Sequence, residues 1–345
     1  MKIPKPKKLP SGNWFIHLRF KGEYIPITAA TETECRRIAE LIKAEHNAGK
    51  RQAMKTPKET TLQEAMDKFI QANKATLSPS TVRSYESYAR NRFPNYRNQK
   101  LSNIRWQQMI DDELKRVSEK SVKNAWGLVT PSLKHIGYPV PSVRLSPVPV
   151  NEIPFLQPEE IMPFCEAVEG RSYEIAALLE LHGLRLSEAR GLTWKNIDLK
   201  KDVIMVRGSR VRGPEGEVQK PQNKNRTSTR PVPIMIPQLH DALEAVKDKT
   251  GPVVTVRGGT LLEDIKRACN RAGVTVTTNH GLRHSFASLC FFLGIPMRQI
   301  EEWGGWKDSA VLSRIYIRLA ASMKTDNQNK FNSFFKNANE NANGV

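Results

Sequence analysis

The sequence predicts a multidomain protein, mainly α-helical with small β-sheets. Three features carry that expectation. Apolar residues recur at helical spacing through most of residues 30–138 and 155–320. The runs that read as strands are short and few. A proline-rich stretch interrupts the helical pattern near the middle of the chain. A length of 345 residues suits two or three domains and is ample for a sizeable core.

The first unit, residues 1–55, reads as a small ββ(β)α element. Trp14 to Phe20 is rich in aromatic and aliphatic residues, Lys21-Gly22 is a turn signal, and Tyr24-Ile25-Pro26-Ile27 is a second strand. Thr31 with Glu34 three residues on makes a capping box. Ile38, Leu41 and Ile42 follow at helical spacing, and Gly49 ends the helix. Lys50 to Lys58 is a basic linker.

Residues 60–138 read as four helices. The first follows Thr61 and carries Ala65, Met66, Phe69 and Ile70 on one face. The second starts at Ser78-Pro79-Ser80 and carries Val82, Tyr85 and Tyr88. Leu101 to Ile104 leads into a third near Trp106 to Val117, and Ser118 or Ser121 opens a fourth with Val122, Trp126 and Val129. The aromatic residues here are expected in the core rather than stacked on bases.

Residues 139–154 contain Pro139, Pro141, Pro147, Pro149 and Pro154, which no helix accommodates, so this stretch reads as an extended connector. Residues 155–325 read as a mainly helical domain with one small antiparallel sheet. Helices are expected at 158–169, 171–182, 237–248, 259–271, 281–293, 296–303 and 309–320. Strands are expected at Val203 to Val206, near Glu217 to Gln219, and at Pro231 to Ile236. The tail, 326–345, is polar except for Phe331, Phe334 and Phe335, a composition compatible with a short helix docked on a neighbour.

Composition narrows the function classes. There are 54 Lys and Arg against 35 Asp and Glu, a formal net charge of +19. Hydrophobic and charged fractions of 39% and 26% are ordinary for a folded soluble protein. No apolar run nears the roughly 20 residues that span a bilayer, and the basic N-terminus lacks a signal-peptide core, so no membrane role is expected. Cys35, Cys165, Cys269 and Cys290 fit neither a disulfide framework nor metal spacing and read as reduced, intracellular thiols. The positive surplus points to a polyanion, nucleic acid first. It is spread along the chain, +8 over 1–58, +5 over 59–154 and +6 over 155–345, as suits a protein that wraps its partner.

No Walker-type, HExxH or Gly-x-Ser-x-Gly motif is present, and no acidic cluster suits two-metal nuclease chemistry. Four positive elements remain. Gly183-Leu184-Arg185-Leu186-Ser187-Glu188 puts an arginine on a turn and a carboxylate in the first turn of the next helix, where it braces the guanidinium or favours the N-terminus. Asn223 to Arg230 is a polar, basic connection between two strand signals, and its Lys224 is placed to reach out as an ammonium donor from a hairpin. His280 and Arg283 share a helix face, a pairing suited to one phosphate or to proton handling beside a positive charge, with His284 as a neutral core histidine on the opposite side. Trp303-Gly304-Gly305-Trp306 precedes Tyr316, the only tyrosine after Tyr173. Taken singly, each has a plainer explanation: a surface ion pair, a solvated loop, a core histidine, a buried aromatic, a surface tyrosine.

In this order the set resembles the signature of the tyrosine recombinases, and the chain is similar to a phage-type or conjugative-element integrase of that family. The motif-level match covers roughly 155–320, with His280 to Tyr316 its most specific part. Residues 1–55 are similar to an arm-type DNA-binding domain, 60–138 to a helical core-binding domain, and 155–325 to the α+β catalytic domain.

The resemblance implies roles. Arg185 and Arg283 correspond to the arginine pair on the scissile phosphate, with Glu188 in support. Lys224 corresponds to the lysine that protonates the leaving 5′ oxygen, Lys220 being an alternative. His280 corresponds to the proton-handling group and Trp306 to a phosphate contact packed around the nucleophile, Tyr316. Lys5, Lys7, Lys8, Arg19 and Lys21 would contact phosphates from the N-terminal sheet. It also implies double-stranded attachment sites of core and arm type, a homotetramer on DNA, and accessory DNA-bending and directionality proteins. No metal and no cofactor are implied, and the location implied is the cytoplasm of a bacterial host, at the nucleoid. A DNA-binding relative without catalysis and a type IB topoisomerase are the alternatives.

Overall fold

A computed structural model describes residues 3–20, 23–47, 59–149, 152–220, 229–322 and, in the tail, 328, 329, 332 and 333. Lys21, Lys224 and the three tail phenylalanines lie outside the described residues.

At the N-terminus, β1 (Lys7–Lys8), β2 (Trp14–Phe20) and β3 (Glu23–Ala29) form an antiparallel sheet in that order. Helix α1 (Glu32–Asn47) covers one face, where alternation on the strands buries Ile16, Leu18, Ile27 and Ala29 against Cys35 and Ala39. Thr31 Oγ1 accepts from the Glu34 amide at 3.2 Å, as the capping-box spacing predicts. On the open face, Phe15, His17 and Arg19 alternate outward, and Lys7 lies directly across from Phe15.

A second core belongs to α2 (Leu62–Asn73), α3 (Pro79–Asn91), α4 (Trp106–Leu114) and α5 (Glu119–His135). Both halves of the Thr61–Glu64 capping box form at the start of α2. Trp126 is buried, and Trp106 packs edge-on to it at 6.1 Å. Residues 139–149 carry no regular secondary structure.

The third part holds α6 (Ile161–Val168), α7 (Glu174–Leu181), α8 (Leu186–Ala189), α9 (Pro237–Glu244), α10 (Gly258–Ala272), α11 (Asn279–Phe292), α12 (Met297–Gly304) and α13 (Ser309–Ser322). One core gathers α6, α7, α10 and the sheet, and another gathers Phe155 with α11, α12 and α13.

The expected single sheet is two. Among the described residues, strands β4 (Ile197–Asp198), β5 (Val203–Val206) and β8 (Arg230–Pro233) form one antiparallel sheet, and β6 (Ser209–Arg212) pairs only with β7 (Glu217–Lys220). Among the described residues β7 and β8 are therefore not partners, and the expected hairpin around Lys224 falls on residues 221–228, outside the described residues. At the start of the ribbon Gly191 lets the Ser209 backbone approach closely, since a Cβ at 191 would lie 2.6 Å from Ser209 Cα.

Candidate active site

Three arginines meet at the end of one helix. Helix α12 leaves its last carbonyls without intrahelical partners, at the negative end of its dipole. Trp303 O accepts from Arg230 Nε at 2.7 Å, Gly304 O from Arg283 Nη1 at 2.7 Å, and Gly305 O from Arg185 Nη2 at 2.7 Å. Consecutive carbonyls therefore each hold one guanidinium. Gly305 closes the turn at φ +68°, a conformation that favours glycine. Gly304 is needed for space, since a Cβ there would sit 1.8 Å from the Trp306 ring.

Arg283 comes from the first turns of α11 and is 1% exposed. It also donates to Gly183 O, on the turn after α7, and its guanidinium lies 3.8 Å from the centre of the Trp306 ring. Trp306 in turn stacks on Phe286, with ring planes 7° apart. Burial, then Arg185, pushes the Arg283 pKa down, while Glu188 acts the other way. A guanidinium so placed remains charged at neutral pH, and an incoming anion would relieve the strain.

Glu188 is the hub. It stands at the third position of α8 and is 3% exposed. Its Oε1 takes Arg185 Nη1 at 2.6 Å and its Oε2 takes Arg230 Nη2 at 3.1 Å, while Oε2 also accepts the Arg185 amide at 3.0 Å. Burial alone would raise its pKa, but Arg230 and then Arg185 hold it below the usual carboxylate value. Three guanidiniums against one carboxylate leave the cluster with a surplus of two positive charges, which suits an anion with charge still building on it.

His280 lies one turn before Arg283 at the start of α11 and is exposed. Burial of part of its ring, then Arg283 and Arg185, lowers its pKa, so the imidazole is neutral at pH 7 and able to take a proton. His284 is not on the opposite side. One turn later on the same helix, its ring centre is 4.6 Å from that of His280, because residues four apart share a face. It is buried with Nε2 unpartnered, and burial, then His280 and Arg283, lowers its pKa to about 4.

Tyr316 lies apart from this cluster. It is 51% exposed on α13, and its ring packs edge-on to Phe291 at 5.2 Å. Phe291 is near the far end of α11, about 16 Å along the helix from His280. Its neighbours Arg314 and Arg318 do not reach Tyr316. Arg318 donates to Ile153 O at 3.0 Å and lies over the Phe155 ring, and Arg314 donates to Ala310 O. Lys220 ends β7 and donates to Ser78 Oγ, at the start of α3, at 3.2 Å. Lys5, Lys7, Lys8 and Arg19 are exposed on or beside the N-terminal sheet.

Sequence reasoning passed over Arg230, which is 6% exposed. The available signal was strand alternation: Arg230 and Val232 face inward on β8, so an arginine occupies a core-facing position. It also passed over Glu180 and His182 on and just after α7. Glu180 accepts from Asn279 Nδ2 at 3.2 Å, and His182 Nε2 accepts from the Met235 amide at 3.0 Å. Burial raises the Glu180 pKa to about 8 and lowers that of His182 to about 4.

Among curated proteins, the chain is 27% identical over 216 residues to a XerC-like tyrosine recombinase of Caldanaerobacter subterraneus subsp. tengcongensis, covering 54% of this chain and 55% of that one. It is 26% identical over 203 residues to the integrase of Salmonella phage P22, covering 55% and 50%. The chain thus spans about half the length of the curated relatives it matches. Among solved structures, the Tn1549 transposon integrase in complex with transposon right-end DNA has a TM-score of 0.60 at 16% identity, covering 77% of this chain and 99% of that one. A lambda integrase dimer bound to a core site has a TM-score of 0.56 at 16% identity, covering 91% and 94%. These two show a shared fold. The model of the phage integrase family matches residues 153–323, a span that contains the whole arginine cluster, and this part of the chain belongs to that family of tyrosine recombinases.

Proposed function

We propose that the chain is a site-specific recombinase that cuts and rejoins DNA through a 3′-phosphotyrosyl intermediate, integrating and excising phage or mobile-element DNA. The observation that carries this proposal is the convergence of Arg185 and Arg283 on the α12 carbonyls, with neutral His280 at its edge. Two guanidiniums there would hold the non-bridging oxygens of a scissile phosphate and stabilise the charge of a pentacoordinate transition state. The Tyr316 oxygen bonds to phosphorus as the P–O5′ bond breaks. His280 takes the phenol proton, Lys224 gives a proton to the leaving 5′ oxygen, and Trp306 packs beside the phosphate. Attack by a partner strand's 5′ hydroxyl reverses the step and releases Tyr316. Because the phosphoester bond is conserved in the linkage, rejoining requires no nucleotide.

From its place against Phe291, Tyr316 must be carried to the cage, so DNA binding or a neighbouring subunit would have to shift α13. Core-type sites would be gripped by the helical and catalytic parts. Arm-type sites would meet the open face of the N-terminal sheet, where Lys7 and Arg19 flank Phe15 and His17, with Lys5 and Lys8 nearby; Lys21 is proposed as a further phosphate contact. The same proposal includes a homotetramer on paired duplexes, accessory bending and directionality proteins, and a cytoplasmic, nucleoid-associated location. Among the described residues, no helix is long and apolar enough to cross a membrane.

The test is a nicked suicide substrate carrying a candidate core site. The wild-type chain is expected to form a covalent protein–DNA adduct, and Tyr316→Phe to bind the same DNA within a few-fold and form none. An adduct that survives in Tyr316→Phe overturns the nucleophile assignment. Uniform relaxation of plasmids that lack the site would favour the topoisomerase reading.

A further inference from the structure

We infer that Arg230 is a positioning residue of the active site, the counter-charge that leaves Arg185 available to the scissile phosphate. The inference rests on the recombinase chemistry proposed above. Arg230 is the first residue of β8 and is buried beside the hub carboxylate. Each nitrogen of its guanidinium already has a partner: Nε on Trp303 O at 2.7 Å, Nη1 and Nη2 on the two oxygens of Glu188 at 3.4 and 3.1 Å. Unlike Arg283, whose Nε has no partner, Arg230 has no nitrogen left over for substrate. It acts through what it holds.

Glu188 is shared between two arginines of unequal exposure. The Arg185 side chain is 39% exposed and faces the site, whereas that of Arg230 is 7% exposed. A buried carboxylate facing Arg185 alone would cancel most of that residue's charge and draw it inward. Arg230 supplies the compensating charge from behind, so that Glu188 orients Arg185 without neutralising it. The same guanidinium fixes the α12 turn. It binds Trp303 O, and a Cβ at Gly305 would lie 2.7 Å from Arg230 Nη1, so Arg230 packs directly on the turn whose Gly304 and Gly305 carbonyls hold Arg283 and Arg185. Arg230 thereby touches Glu188 and the α12 turn, the two supports of the arginine pair, with no nitrogen left for the reacting atoms.

The experiment compares wild type, Arg230→Lys and Arg230→Met in single-turnover cleavage of two suicide substrates. One carries the ordinary scissile phosphodiester, and the other an uncharged methylphosphonate at that position. Arg230→Met is expected to lower the rate at saturating DNA about 10²-fold on the phosphodiester, the scale of a small misplacement of catalytic groups. The half-saturating DNA concentration should stay within a few-fold. Arg230→Lys, which keeps the charge and loses the fork, should fall in between. On the methylphosphonate, where the guanidinium pair has less charge to stabilise, the gap to wild type should shrink to below about tenfold. Equal losses on both substrates, a defect confined to DNA affinity, or activity that merely tracks the folded fraction in thermal melts would make Arg230 a structural residue and overturn the inference. Failure of the wild type to form any adduct would instead sink the recombinase proposal itself.

Discussion

Glu180 is fully buried in α7, with one carboxyl oxygen on Asn279 Nδ2 and the other unpartnered. Burial raises its pKa to about 8, above the 4.5 of a free glutamate. Between those values the folded chain keeps a proton that the unfolded chain has lost, so this residue erodes stability as pH rises. Glu180→Gln keeps the acceptor and removes the titration. It should stabilise the protein by on the order of 3 kcal/mol at pH 8 and under about 1 kcal/mol at pH 5, read from urea melts at the two pH values. His182 and His284 work in the other direction. Their pKa values of about 4 mean that the unfolded chain binds protons first as pH falls below 6.5, so stability drops on acidification through that window. At this scale Arg185, Glu188, His280 and Arg283 were legible because each pair sits within one turn of the chain. Arg230 was not, because an arginine faces inward only once β8 has its register against β5.

The C-terminus of α12 is the element on which the site turns. Three consecutive carbonyls hold three guanidiniums, and the Trp306 ring fills the space that a Cβ at 304 would need. Gly304→Ala must push the indole off Arg283. It should cost about 1–3 kcal/mol of stability by overpacking and lower cleavage at saturating DNA, with DNA affinity within a few-fold of wild type. Thermal melts and adduct yields check both parts. The helices were legible from caps and spacing, as at Thr61, Ser78 and Ser118. The ribbon was not. Ser209 to Arg212 is too short and polar to read as a strand, and pairing partners are set by packing far along the chain: Gly191 admits β6, and Gln219 Nε2 ties β7 to Gly191 O at 2.9 Å.

At the scale of the molecule, the +19 surplus is shared by all parts of the chain, and the ribbon touches the helical unit through Lys220 and Ser78. A protein that contacts a duplex from several sides neutralises many phosphates and releases their counterions. For six or more such contacts, binding to a core-site duplex should weaken about 10³-fold or more between 50 and 200 mM salt, measured by fluorescence anisotropy. A slope near zero would mean that the charge does not face DNA. The break in regular structure at 139–149 was legible from the proline run. The separation of Tyr316 from the arginines was not, since sequence order says nothing of which face of α13 meets α11.

The most direct measurement is to trap the wild-type chain on a nicked attachment-site duplex, digest the adduct, and locate the nucleotide-bearing peptide by mass spectrometry. The modification is expected on the phenol oxygen of Tyr316, joined to a 3′ phosphate. A nucleotide found on any other side chain, or joined through a 5′ phosphate, would contradict the proposed chemistry.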